Sequence, residues 1–121
     1  MKTQVLVAVT LLGTLLGGCV TKQSQLGVQN KWRAEPAPVF ERGRTTRADV
    51  LHLLGPPSQV IGLRDQTLFY YLREQQKING LITVVYNRTR EQITYDRAIF
   101  FFNTNDVLTD FALSDEAVRR Q

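Results

Sequence analysis

Residues able to do chemistry are few in this 121-residue chain, and they lie far apart. Cysteine occurs once, at Cys19, and histidine once, at His52. A single thiol cannot close an intramolecular disulfide, and one thiol with one imidazole cannot fill a zinc coordination sphere. A lone thiol is, however, the side chain suited to forming a thioether. His52, between Leu51 and Leu53, would need a serine and a supporting acid beside it to drive hydrolysis. Ser58 and Ser114 are the candidate serines, and nothing in the spacing joins either to His52. Asp106 and Asp110 have a hairpin's spacing, which turn chemistry and protection of a sheet edge explain before acid–base work does. No catalytic residue, metal site or cofactor is expected, and the chain does not read as an enzyme.

Cys19 gains meaning from what precedes it. Met1-Lys2 is a short positive start, and Val5 to Leu16 is apolar apart from Thr10, Gly13 and Thr14. That run has the length of a secretory signal's apolar region, and falls short of the roughly 20 residues that span a bilayer core. It ends Leu16-Gly17-Gly18-Cys19, which resembles the lipobox of bacterial lipoproteins. The resemblance implies cleavage after Gly18, a diacylglycerol on the Cys19 sulfur and usually an acylated new amino group. Two or three acyl chains, at about 0.8 kcal/mol per buried CH₂, make a stable anchor where one is marginal. Val20 follows the cysteine, where Asp would signal inner-membrane retention in the enteric sorting rule, so an outer-membrane location facing the periplasm is expected. For such a chain the glycan-acceptor match Asn87-Arg88-Thr89 carries no weight.

Charge is distributed unevenly. Between Lys22 and Arg47 six basic residues face only Glu35 and Glu41, whereas from Ala48 onward 8 basic residues meet 9 acidic ones. The basic excess sits nearest the expected anchor. It reads either as a contact with anionic lipid, at about 1 kcal/mol per residue near the surface, or as a solvated linker. A nucleic-acid partner is not expected, because the rest of the chain is not basic and carries no recognition motif.

Residues 1–18 read as the signal segment and 19–39 as a lipidated start and flexible tether, polar and ending in Glu35-Pro36-Ala37-Pro38. Trp32 is the tether's one large apolar residue; the membrane interface, the domain and a partner are all open to it. A domain is expected over 40–113. Thr46 with Asp49 forms a capping-box pattern that starts a helix over about 46–54, with Val50, Leu51 and Leu54 on one face. Gly55 then supplies a left-handed stop, and Pro56-Pro57 prevent resumption. Strands are expected at Leu68–Arg73, Leu81–Tyr86, Arg97–Phe102 and Val107–Ala112, and Gln59–Gly62 reads as a short strand in preference to a second helical turn. The expected turns are Asn79-Gly80 and Asn103–Asp106, with Asn87–Asp96 as a polar loop and 114–121 as a C-terminal tail whose Ser114–Glu116 starts a frayed helix. The expected fold is α+β: a two-layer arrangement of short helical structure on a three- to four-stranded antiparallel meander.

Phe40, Gly43, Thr45-Thr46, Asp49-Val50 and Leu53-Leu54-Gly55-Pro56-Pro57 resemble the start of the SmpA/OmlA, or BamE-like, small outer-membrane lipoproteins. Leu72-Arg73 and Phe100-Phe101-Phe102-Asn103 resemble the rest of that pattern, so the likeness covers about residues 40–113 plus the lipobox. The resemblance implies a non-enzymatic accessory of an outer-membrane or β-barrel assembly complex, with anionic phospholipid as a further contact. Two departures stand out: Phe69-Tyr70-Tyr71 occupies a place where Trp is common, and the region adding Leu81–Tyr86 is longer than usual. The alternative function is a lipid-tethered periplasmic ligand-binding or hydrolase-inhibitor module.

Alternation along the two aromatic strands supplies a candidate contact surface. With Leu68, Tyr70 and Leu72 toward the helix, and Ala98, Phe100 and Phe102 likewise, the other face would carry Phe69, Tyr71, Ile99 and Phe101. Those four form an expected partner-binding patch, unless another part of the chain covers them.

Overall fold

The computed structural model describes residues 1–14 and 17–121. In chain order they form helix α1 (Lys2–Thr14), strand β1 (Gly17–Gly27), a 3-10 turn (Lys31–Arg33), helix α2 (Arg47–Leu54) and strands β2 (Gln59–Gly62), β3 (Thr67–Thr83), β4 (Asn87–Phe102) and β5 (Leu108–Arg120). The class is α+β with a mostly antiparallel sheet. Strand order is β1-β3-β4-β5, and β2 pairs antiparallel with β3 off that path, setting Val60 opposite Phe69 and Ile61 opposite Leu68. The chain divides into two compact units, one of Met1–Ser24, Gln76–Ile93 and Val118–Gln121, the other of Gln25–Gln75 and Thr94–Ala117.

The second unit holds the hydrophobic core, and local sequence explains how it starts. The Thr46 hydroxyl accepts from the Asp49 N–H while the Asp49 carboxylate accepts from the Thr46 N–H, the capping box expected for α2. Gly55, at φ 81°, ends the helix where a side chain would be strained. An eight-residue helix is not stable by itself. It is held by burying Val50 and Leu54 against Phe69 and Tyr71 of β3, Ala98, Phe100 and Phe102 of β4, and Leu108 of β5. The aromatic rings meet edge to face, with Phe69 5.0 Å from Phe102 and Tyr71 5.8 Å from Phe100 between centroids. That geometry suits the ring quadrupoles and adds to the burial term. Phe40 and Phe111 close the margin against Phe100.

Several expectations are corrected here. Phe69 and Tyr71 lie on the core face rather than on the outer one, while Leu68, Tyr70 and Leu72 are half-buried. The segment LFYYLR is apolar in both parities, so its alternation carries no sign. Tertiary contacts decide it: the Tyr71 hydroxyl donates to the Gly55 carbonyl at the helix end, 2.9 Å away. The expected tether is not free chain either. Residues 17–27 are strand β1, and Trp32 is buried in the core at 2% exposure, which settles its three open placements in favour of the domain. Strand β3 continues through Asn79-Gly80, and the expected Asn87–Asp96 loop is part of β4. The expected C-terminal tail, 114–120, continues β5 instead of starting a helix.

In the first unit the β3–β4 connection closes at Thr83–Asn87. The Thr83 N–H donates to the Tyr86 carbonyl and to the Asn87 side-chain oxygen, and the Tyr86 N–H returns a bond to the Thr83 hydroxyl at 2.8 Å. Gly80 lies inside β3, where a Cβ would stand 3.4 Å from the Arg88 carbonyl, an ordinary packing distance.

Candidate functional site

Cys19 lies on β1 with its thiol free and exposed. Upstream, α1 leaves Val5, Leu6, Val7, Val9, Leu11 and Leu12 each more than half exposed. Gly17 and Gly18 occupy the start of β1, while Leu16, the first residue of the expected lipobox, lies outside the described residues. No described helix is long and apolar enough to cross a membrane. The thiol is exposed in extended backbone that follows two glycines.

The four-residue contact patch does not exist as drawn. Phe69 and Tyr71 are core residues at 3% and 0% exposure, whereas Ile99 and Phe101 are half-buried on the alternate positions of β4. The residues sharing that outer parity are Leu68, Tyr70 and Leu72, so an apolar sheet surface exists with different members.

Residues that could do acid–base work are otherwise engaged. His52 is exposed on α2, and the acid it influences is Asp49 of the capping box. Hydrogen bonds from the Thr46 backbone and hydroxyl hold the Asp49 carboxyl below its ordinary 3.8. The Ser58 hydroxyl accepts from the Leu72 N–H at 3.0 Å, and Ser114 is exposed on β5. A hydrogen bond from Arg42 likewise lowers the Asp110 carboxyl, and Asp106 pairs with Arg47. Burial pushes the Tyr71 hydroxyl up to about 12. Among the described residues no group of three or more His, Cys, Asp or Glu could hold a metal ion.

Sequence reasoning missed Asp96. Only 8% exposed, it accepts from the Trp32 indole N–H at 2.9 Å, the Asn30 amide at 3.0 Å and the Arg33 Nε at 3.4 Å. Arg73 in turn holds the Asn30 side-chain oxygen. One buried carboxylate thus fastens residues 30–33 to β4. A polar residue in phase with Ala98, Phe100 and Phe102 was the available signal, since such a group needs partners. The basic stretch is also quieter than its composition suggests. Arg33, Arg42, Arg44 and Arg47 all pair with acids. Lys22 and Lys31 are left without an ion pair among the described residues. Compared with protein-family models, curated proteins and solved structures, the chain finds no significant match in any of the three.

Proposed function

We propose that this chain is a bacterial outer-membrane lipoprotein whose domain acts as a non-enzymatic interaction module at the periplasmic face. The observation that carries this reading is Cys19: the chain's single thiol, exposed, directly after Gly17-Gly18 and downstream of an apolar helix whose Val5, Leu6, Val7 and Val9 are exposed. Such a helix serves export and removal better than it serves folding. Acylation of the sulfur would then anchor the mature chain and raise its effective concentration near membrane partners.

Within the domain, the proposed arrangement is two-layered, with α2 and the Trp32 turn over one face of a meander and the Leu68, Tyr70, Ile99 and Phe101 face turned toward a partner. Support for a binding role over catalysis comes from His52, Ser58 and Ser114, none of which shares a hydrogen bond with another. In keeping with the SmpA/OmlA resemblance, the partner class proposed is a component of an outer-membrane or β-barrel assembly complex. Two measurements test this. Cys19→Ser should move the chain from the outer-membrane fraction. Crosslinkers at positions 70, 99 and 101 in intact cells should capture an envelope protein also recovered from detergent extracts. Recovery of a stoichiometric periplasmic hydrolase would instead favour an inhibitor module, and an unchanged distribution of the serine variant would refute the anchor.

A further inference from the structure

The turn joining β3 to β4 carries residues that its own folding does not call for. Reversals of chain direction favour Gly, Asn, Asp, Ser and Pro, which supply the required backbone angles and tolerate water. Here the reversal is made by Val84 and Val85, 74% and 94% exposed, flanked by Ile82 and Tyr86, both more than half exposed. Leu81 adds a further exposed apolar side chain. β-Branched residues fit a half-buried pleated surface, and at a solvated turn they gain nothing. A contiguous apolar group of this kind marks a contact with something apolar.

Two features of the same unit point to the occupant. The first is charge. Arg88 and Arg90 lie on β4 behind the tip, with Lys77 further back on β3, all exposed, and Glu91 is the one acid of residues 76–93. Apolar tip, then Tyr86, then a cationic collar is the order in which a bilayer presents acyl chains, interface and anionic headgroups. The second is hydrogen bonding. Bare backbone groups are excluded from hydrocarbon. Two N–H groups at the base of this turn are satisfied within it, Thr83 by the Tyr86 and Asn87 oxygens and Tyr86 by the Thr83 hydroxyl.

We infer that the β3–β4 tip inserts Ile82, Val84 and Val85 into the surface of an anionic lipid membrane, with Arg88 and Arg90 reaching the headgroups. This contact is separate from the acyl anchor proposed at Cys19 and would set how the domain meets the membrane it is tethered to.

The test places an environment-sensitive dye at Val85→Cys in the purified full chain, reconstituted in vesicles of zwitterionic lipid containing about one-third anionic lipid. An acylated Cys19 takes up no dye, so two dyes per chain would signal failure of the anchor reading independently of the tip. The dye at 85 should shift to the blue and be quenched by brominated acyl chains, while a dye at Thr104→Cys, on the polar Asn103–Asp106 turn, should do neither. Replacing Arg88 and Arg90 with Gln should cut the inserted fraction about fivefold per charge, and Ile82→Ser with Val84→Ser should abolish the shift. A dye at 85 that behaves like the one at 104 would overturn the inference. So would a blue shift seen in native membranes and absent from protein-free vesicles, which would assign the tip to a protein instead.

Discussion

Asp96→Asn is the substitution whose consequence follows most directly from geometry. The wild-type carboxylate uses Oδ1 for Trp32 and Arg33 and Oδ2 for Asn30. An asparagine keeps one acceptor, which can retain Trp32 and Arg33, but its NH₂ then faces the NH₂ of Asn30. Asn30 cannot turn over to relieve this, because its oxygen is held by Arg73. The variant loses one charge-assisted hydrogen bond and gains a donor–donor clash, a cost of about 2–3 kcal/mol. Asp96→Ala leaves the buried indole N–H without a partner as well and should cost about 4 kcal/mol. With an m-value of roughly 1–1.5 kcal/mol per molar urea for a domain this small, Asp96→Asn should lower the unfolding midpoint by about 2 M. Trp32 is the only tryptophan, so its fluorescence in a urea titration reads the affected segment itself. A loss below about 0.5 kcal/mol with an unchanged emission maximum would refute the reasoning and return residues 30–33 to the status of a solvated leash.

Other predictions rest on single contacts. Gly27→Ala combines φ 86° with a Cβ placed 2.1 Å from the Leu72 carbonyl oxygen and should cost about 2–4 kcal/mol. Gly43→Ala, at φ 80° with nothing within 4 Å, should cost only about 1–2; equal losses in thermal melts would refute the packing argument. Tyr71, raised to about 12 when folded against 10.0 unfolded, contributes stability that is intact below pH 10 and lost as pH climbs toward 12. Tyr71→Phe should flatten that alkaline decline, and an unchanged decline would show that another group causes it. Asp49, lowered when folded, contributes above its ordinary 3.8 and is lost as pH falls through the folded value, so Asp49→Asn should soften the acid limb of an unfolding curve.

What could be read in advance was what is local. The capping box Thr46/Asp49 and the Gly55 stop act within a few residues, and α2 begins and ends where they place it. The Asn103–Asp106 turn is equally self-contained, because the Asn103 side chain accepts from the Asn105 and Val107 N–H groups. The misjudged features depend on distant partners. Which face Phe69 and Tyr71 take is decided by Phe100, Phe102 and the Gly55 carbonyl, about which LFYYLR says nothing. Trp32 is drawn out of an otherwise polar segment by Asp96, 64 residues away. Asn79-Gly80 has strong turn chemistry, yet pairing with β4 holds it extended and moves the reversal to Val84-Val85. For the candidate site the contrast is similar. Cys19 stands out by type and by its immediate neighbours, whereas the members of the sheet surface could be named only once strand parity was known.

Whether Cys19 carries the anchor is decided by the intact mass of the chain extracted from envelopes. The expected species is a polypeptide that begins at Cys19, heavier than its sequence by a diacylglyceryl group and, in the fully processed form, an amide-linked acyl chain. A species that keeps Met1, or one that starts at residue 19 with an unmodified thiol, would contradict it.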